Sequence, residues 1–274
     1  MKHEKSVIVI FFLFHLFLSL AIPQVKVVQH EKEKMVLIPG GSYKPFFSDS
    51  NSAKIVRIKS FLVDKYPVTN EEFLSFAIKN PLWRKSKAKR IFADANYLSH
   101  WKSDFELGEN VNPKSPVTNI SWFAAKAYAA SFGKRLSTIA EWEYIGRASA
   151  SKADGTKDSE YKKAILRWYS LPNTKGLQAV GKSKPNYYHV YDLHGLIWEW
   201  VLDFNTALVT GESRGDTNLE RNLFCGNGAV GSSDFSDYAA FMRFGFRSSL
   251  QATYAIHNLG FRCVKDLAIK GKKK

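Results

Sequence analysis

Residues Ser115–Ala148 read SPVTNISWFAAKAYAASFGKRLSTIAEWEYIGRA, and two helices follow directly from their chemistry. Ser121 can cap the first, its alanines favour helix, and Gly133 can close it in a left-handed conformation. Thr138 and Glu141 have capping-box spacing at the start of the second, so each side chain can satisfy a free amide of the first turn. Only the short link KRLS separates the two, so they pack near each other. Working outward, TNEEFLSFAIKN (Thr69–Asn80) predicts another helix, with Thr69 and Glu72 as its capping box, Phe73, Phe76 and Ala77 as its apolar stripe, and Pro81 as its stop. Upstream, MVLIPGGSYKPF reads as a strand ended by a turn at Gly40 and Gly41. The alternation in KIVRIKSFLVDKYPVTN (Lys54–Asn70) reads as one strand with two faces. Residues 82–116 are basic, aromatic and without period, a long loop of the kind that often carries function. Residues 149–186 read as polar loop, and 205–274 as short strands and loops with no further long helix. The sum is an α+β domain with few helices and many short irregular strands.

The chain has 274 residues, 45% of them hydrophobic and 14% aromatic, enough for a full core. Its N-terminus has the form of an export signal: Lys2 and Lys5, then SVIVIFFLFHLFLSLA, with Ser19 and Ala21 as small residues before a cleavage point. Residues 1–21 are therefore expected to be a signal peptide, or an anchor if left uncleaved. Residues 22–34 are then a polar linker, 35–266 the folded domain and 267–274 a basic tail, and the domain is expected to be periplasmic or secreted. Net charge is +15, concentrated in WRKSKAKR (Trp83–Arg90) and the lysine tail. Such clusters suit acidic partners or anionic surfaces, or are simply solvated. No nucleic-acid module is visible, and export argues against one, so no nucleic-acid partner is expected. The chain has two cysteines, Cys225 and Cys263. In an oxidising compartment they could form one disulfide, restraining the unfolded chain by about 3–4 kcal/mol, or remain free thiols.

Three segments, SPVTNISWFAAKAYAASFGKRLSTIAEWEYIGRA, YDLHGLIWEWVLD (Tyr191–Asp203) and NLGFRC (Asn258–Cys263), occur in this order and together resemble the formylglycine-generating-enzyme (sulfatase-modifying factor) family over about Met35–Asp266. The resemblance implies an elaborated C-type-lectin-like fold. It also implies kinship with copper-dependent oxidases that convert a sulfatase cysteine to formylglycine, and with non-haem iron relatives. NPLWRKSKAKRIFADANYLSHW, DFNTALVTGES and MRFGFRSSLQATY are similar to a bacterial branch, NirV, found beside copper nitrite reductases.

That oxidase chemistry needs two soft thiolates to hold Cu(I). Counting back from NLGFRC, the two thiol positions fall on Asp234 and Ala239, so copper held by a cysteine pair is not expected. Tyr238, Arg247 and Asn258 match residues of the family's substrate cleft. Cys263 matches a cysteine that forms a structural disulfide in animal members, but the partner position here is Ala129. The iron relatives use a His-x3-His-x-Glu arrangement; His189, His194 and Glu199 stand in its place at different spacing, with His100 and His257 distant in sequence. Family members often bind calcium near HGLIWEW; Leu196 replaces an asparagine there, leaving Asp192 and Glu199, a weakened site. The favoured alternative makes Trp198 and Trp200 core and gives Glu199 a backbone bond. Glu141 and Glu143 face different ways on their helix and read as structural, with Arg135 or Arg147 as partners.

The expected function is thus an exported, non-oxidase accessory or binding protein taking a peptide, protein or small molecule in its cleft, with a periplasmic copper enzyme as a candidate partner. The alternative is a metal-dependent oxidoreductase, of iron or copper, using His189, His194, His257 or Asp234 as ligands. A third reading gives the basic loop 83–90 an acidic ligand.

Overall fold

The computed structural model describes residues 34–45, 55–170, 176–205 and 238–268. The expected signal segment, Cys225, Asp234 and nearly all of the linker and basic tail lie outside them. In chain order the strands and helices begin with β1 (Met35–Ile38), β2 (Gly41–Tyr43), β3 (Val56–Ile58), β4 (Phe61–Asp64) and α1 (Asn70–Lys79). A 3-10 turn (Pro81–Trp83), α2 (Trp122–Ser131), β5 (Arg135–Leu136), α3 (Ile139–Gly146) and α4 (Ser159–Ser170) follow. The last elements are β6 (Trp198–Glu199), α5 (Tyr238–Ser248), β7 (Leu259–Gly260) and β8 (Cys263–Asp266). Among the described residues no helix is long and apolar enough to cross a membrane.

The helices α1 to α3 start where their caps predict. Thr69 and Thr138 each complete a capping box, Ser121 accepts from the Ala124 amide, and Gly133 adopts φ +61° after α2. Two corrections concern helices not expected from sequence. The stretch read as polar loop contains α4, opened by Asp158, whose carboxylate accepts from the Glu160 and Tyr161 amides. The stretch read as strands and loops contains α5. A third correction splits the long alternating strand: β3 pairs only with β2, β4 with β1 and β8, and the break falls at Lys59–Ser60. Ser60 Oγ there accepts from the Gly40 amide at 2.9 Å. Gly41 opens β2 rather than closing a turn.

The main sheet is antiparallel with order β1-β4-β8-β5. Over it Phe73 of α1 stacks on Tyr128 of α2 at 5.8 Å and meets Phe261 edge-on at 6.3 Å. Such aromatic pairs add to the burial that drives the layers together. In the same core, all three resemblance segments meet. β6 and β7 pair in parallel, Trp198 against Leu259 and Glu199 against Gly260. A Cβ on Gly260 would lie 2.3 Å from the Val117 carbonyl oxygen, so this approach of backbone to backbone requires glycine. Trp200 Nε1 donates to the Ile120 carbonyl at 2.7 Å.

Candidate functional site

Trp142 of α3 stands between two buried carboxylates. On one side its Nε1 donates to Glu199 of β6 at 2.8 Å, and Glu199 also accepts from Arg262 at 2.8–3.0 Å. The remaining donors of Arg262 reach the carbonyls of Asp64, Lys65 and Tyr191. This pair is one anion on one cation with its lone pairs and protons used.

On the other side, Glu143 of α3 accepts from two guanidiniums of α5. Arg243 binds it through Nε and Nη2 (2.7–3.2 Å), and Arg247 through Nη1 at 2.6 Å. Both guanidiniums lie over the Trp142 ring, at 5.5 and 4.7 Å, a cation–π geometry. Burial pushes the Glu143 carboxyl up, but the two arginines outweigh it and hold it at about 2. Among the described residues, two cations share this one anion, which leaves one net positive charge in a poorly solvated place. Next to it Tyr43, Arg147, Arg243 and Phe244 line a depression of about 10 Å³, room for a single water. Arg147 is held by Asp154 at 2.9 Å, while its buried Nε has no partner. Burial, and then Glu143, push the Tyr43 phenol up, keeping it protonated.

The residues expected from sequence divide among these places. Ala239, at one expected thiol position, is buried on the inward face of α5, with Arg243 and Arg247 one and two turns on. Its methyl offers no donor atom, so this described position does not fit a thiolate-held copper ion. Tyr238 is exposed at the other end of α5, nine residues or about 13 Å of helix from Arg247, so the two do not share a point. Asn258 joins this region through the backbone: its carbonyl accepts from the Trp198 amide, and the Trp198 ring stacks on Phe246 at 4.4 Å.

His189 is exposed on a left-handed turn (φ +61°), and His257 is exposed. His194 Nε2 bonds the Gly146 carbonyl at 3.0 Å, and Glu199 is committed to Arg262 and Trp142. The structure therefore does not bring His189, His194 and Glu199 together, and no group of three potential metal ligands occurs among the described residues. The Asp192 carboxylate, the other residue left at the expected calcium position, accepts from the Gly181 and Ser183 amides. Glu199 bonds side chains rather than the expected backbone. Glu141 pairs with Arg135 at 2.7 Å as read from sequence, whereas Arg147 turns to Asp154 and leaves Glu143 to α5. His100 is distant, its Nε2 3.4 Å from Asn70 Oδ1. Among the described residues Cys263, buried in β8, has no disulfide partner; burial, then Asp64, push its thiol pKa well up, which disfavours the thiolate. In the basic loop, Arg84 and Lys85 bond carbonyls of the chain, leaving Lys87, Lys89 and Arg90 exposed. Arg243 was not singled out by sequence reasoning; its four-residue spacing from Arg247 is the signal that could have found it.

Residues 22–267 match the model of the sulfatase-modifying factor enzyme 1-like domain. The formylglycine-generating enzyme of Thermomonospora curvata is 27% identical over 63% of this chain and 72% of its own. The inactive C-alpha-formylglycine-generating enzyme 2 of Mus musculus is 26% identical over 90% of each. The chain spans only 28% of a further relative, the serine/threonine-protein kinase pkn1 of Chlamydia pneumoniae, at 26% identity over 62% of this chain. Among solved structures, PvdO from Pseudomonas aeruginosa superposes with a TM-score of 0.47 at 17% identity, covering 85% of this chain and 94% of that one. With the family model spanning most of its length, the chain belongs to the sulfatase-modifying factor enzyme 1-like family.

Proposed function

We propose that this chain is a member of the family that does not oxidise cysteine and instead binds a ligand bearing an anionic group, such as a peptide carboxylate, beside α5. The observation that carries this reading is the inward face of α5. It presents a hydrocarbon at Ala239, where a thiol is needed, and guanidiniums at Arg243 and Arg247 that share one carboxylate. The charge unbalanced among the described residues favours an anion; the depression itself admits only a water, so the anionic group is met at its rim, where Tyr43 and Arg147 supply donors. A similar protein over 90% of its length bears the name of an inactive enzyme, which agrees with this reading.

The finer parts of the proposal rest on sequence. The fold is of the C-type-lectin kind, the export-like N-terminus gives a periplasmic or secreted domain, and membrane attachment follows only if that segment stays uncleaved. The NirV resemblance suggests an accessory role beside a copper nitrite reductase, and no nucleic-acid partner is proposed. Purified protein is incubated with Cu(I), reductant, oxygen and a peptide carrying the sulfatase cysteine motif. The peptide mass is expected to stay unchanged, and loss of the thiol sulfur with aldehyde formation refutes the reading.

A further inference from the structure

A second cavity, of about 280 Å³, lies between α4 and the segment 183–195. Much of its lining is hydrocarbon and aromatic: Tyr161, Ile165 and Trp168 from α4, with Val190 and Leu193 opposite. A dry apolar cavity of roughly 150 Å³ already holds benzene, so the space suits one ring with a short side chain. Ala164, Ser183 and Lys184 also line it and are exposed, so it opens to solvent. Most of its polar groups are already used. Tyr161 Oη donates to the Gly146 carbonyl at 2.6 Å, and His194 Nε2 meets the same oxygen at 3.0 Å, while His194 Nδ1 is sealed off and faces no ligand. Asp192 is buried, with its carboxylate accepting from the Gly181 and Ser183 amides. The Asn186 side chain accepts from the Tyr188 and Val190 amides and donates to the Ile145 carbonyl. What remains stands at the mouth. Ser183 Oγ accepts from the Asp192 amide at 2.9 Å, and its own proton has no acceptor among the described residues. The Lys184 ammonium has no partner among the described residues, and neither has that of exposed Lys182 beside it. An apolar chamber thus ends in a positive rim whose donors are unused.

We propose that this cavity binds a small arylalkanoic acid as its carboxylate, with the ring inside and the carboxylate at the mouth, where it accepts from the Lys184 ammonium and the Ser183 hydroxyl. The site is separate from the Glu143 cluster and does not depend on the function proposed for it. Burial of the ring supplies most of the binding. The flexible four-carbon stem of Lys184 lets its charge follow the ligand, and the charge selects an acid over a neutral molecule of the same shape. The test is calorimetric titration of the full-length protein at low salt with 3-phenylpropionate and with 3-phenylpropionamide, which has the shape but no charge. Wild type is expected to bind the acid about fivefold more tightly than the amide, a modest ratio because the pair is exposed, and Lys184→Gln to bind the two alike. Ala164→Trp fills the chamber from α4 and is expected to abolish binding of both. Ala164 and Lys184 are exposed, so neither variant disturbs the core. Absence of binding to wild type, equal affinities for acid and amide, or a preference retained in Lys184→Gln overturns the proposal. Binding undiminished in Ala164→Trp places the ligand elsewhere on the chain and overturns it as well.

Discussion

The two carboxylates flanking Trp142 are both buried, yet their surroundings do different work. Glu199 has a single cation, Arg262, whose other protons go to three backbone carbonyls, and the ion-pair side chains are 0% and 1% exposed. Glu143 has two cations from one helix and sits beside a gap where a third arginine, Arg147, keeps an unused donor. The first cluster ties the three motif segments together: Trp142 from one, Glu199 from the second and Arg262 from the third. The second leaves a positive charge that no described carboxylate balances. Buried charges persist when paired and hydrogen-bonded, so a balanced cluster reads as scaffold and an unbalanced one as a receptor.

Removing one arginine from each cluster separates these roles. Arg262→Met strands the Glu199 charge in the interior and is expected to cost about 3–5 kcal/mol of stability, measured by denaturant unfolding. A loss under 1 kcal/mol would dissolve the distinction. Acid should act next. Glu143 has its carboxyl lowered from 4.5 to about 2 on folding. A lowered folded value means its contribution is complete above pH 4.5 and fades as pH falls toward 2, on the order of 3 kcal/mol. His194, neutral when folded and lowered from 6.5 to about 3, loses stability in the same direction but from pH 6.5 downward. His100, lowered to about 4, shares that upper window. Each group contributes a slope of about 1.4 kcal/mol per pH unit. Unfolding curves for His194→Phe should show a slope smaller than wild type by about 1.4 kcal/mol per pH unit between pH 6.5 and 4.5. Smallest is Arg247→Met: Glu143 keeps both bonds to Arg243, so the expected loss is about 1–2 kcal/mol. A loss equal to that of Arg262→Met would mean that Glu143 needs both guanidiniums.

How far each part could be read from sequence follows from the type of signal it carries. The helices α1 to α3 announce themselves through Thr69, Ser121 and Thr138, local hydrogen-bond chemistry written within four residues. α4 carried a readable stripe, Tyr161, Ile165 and Trp168, behind a capping Asp158, but polar neighbours masked it. α5 carried little: Gly245 weakens helix by about 1 kcal/mol relative to alanine, and its inward face uses Arg243 and Arg247 where an apolar stripe is normally sought. Those arginines lie inside only because Glu143, about a hundred residues away, meets them. The same distance explains why Glu143 could be read as structural without its partners being found, and why Arg147 was an attractive but incorrect choice. The expectation of a thiol position at Ala239, by contrast, rests only on a motif and a count.

The anion receptor is tested most directly by calorimetric titration of an acidic peptide into wild type and Arg147→Met at low and high salt. The expected result is measurable binding to wild type that weakens about tenfold in the variant and falls as salt screens the charge. Equal affinity in both proteins, or no binding to wild type at low salt, contradicts it.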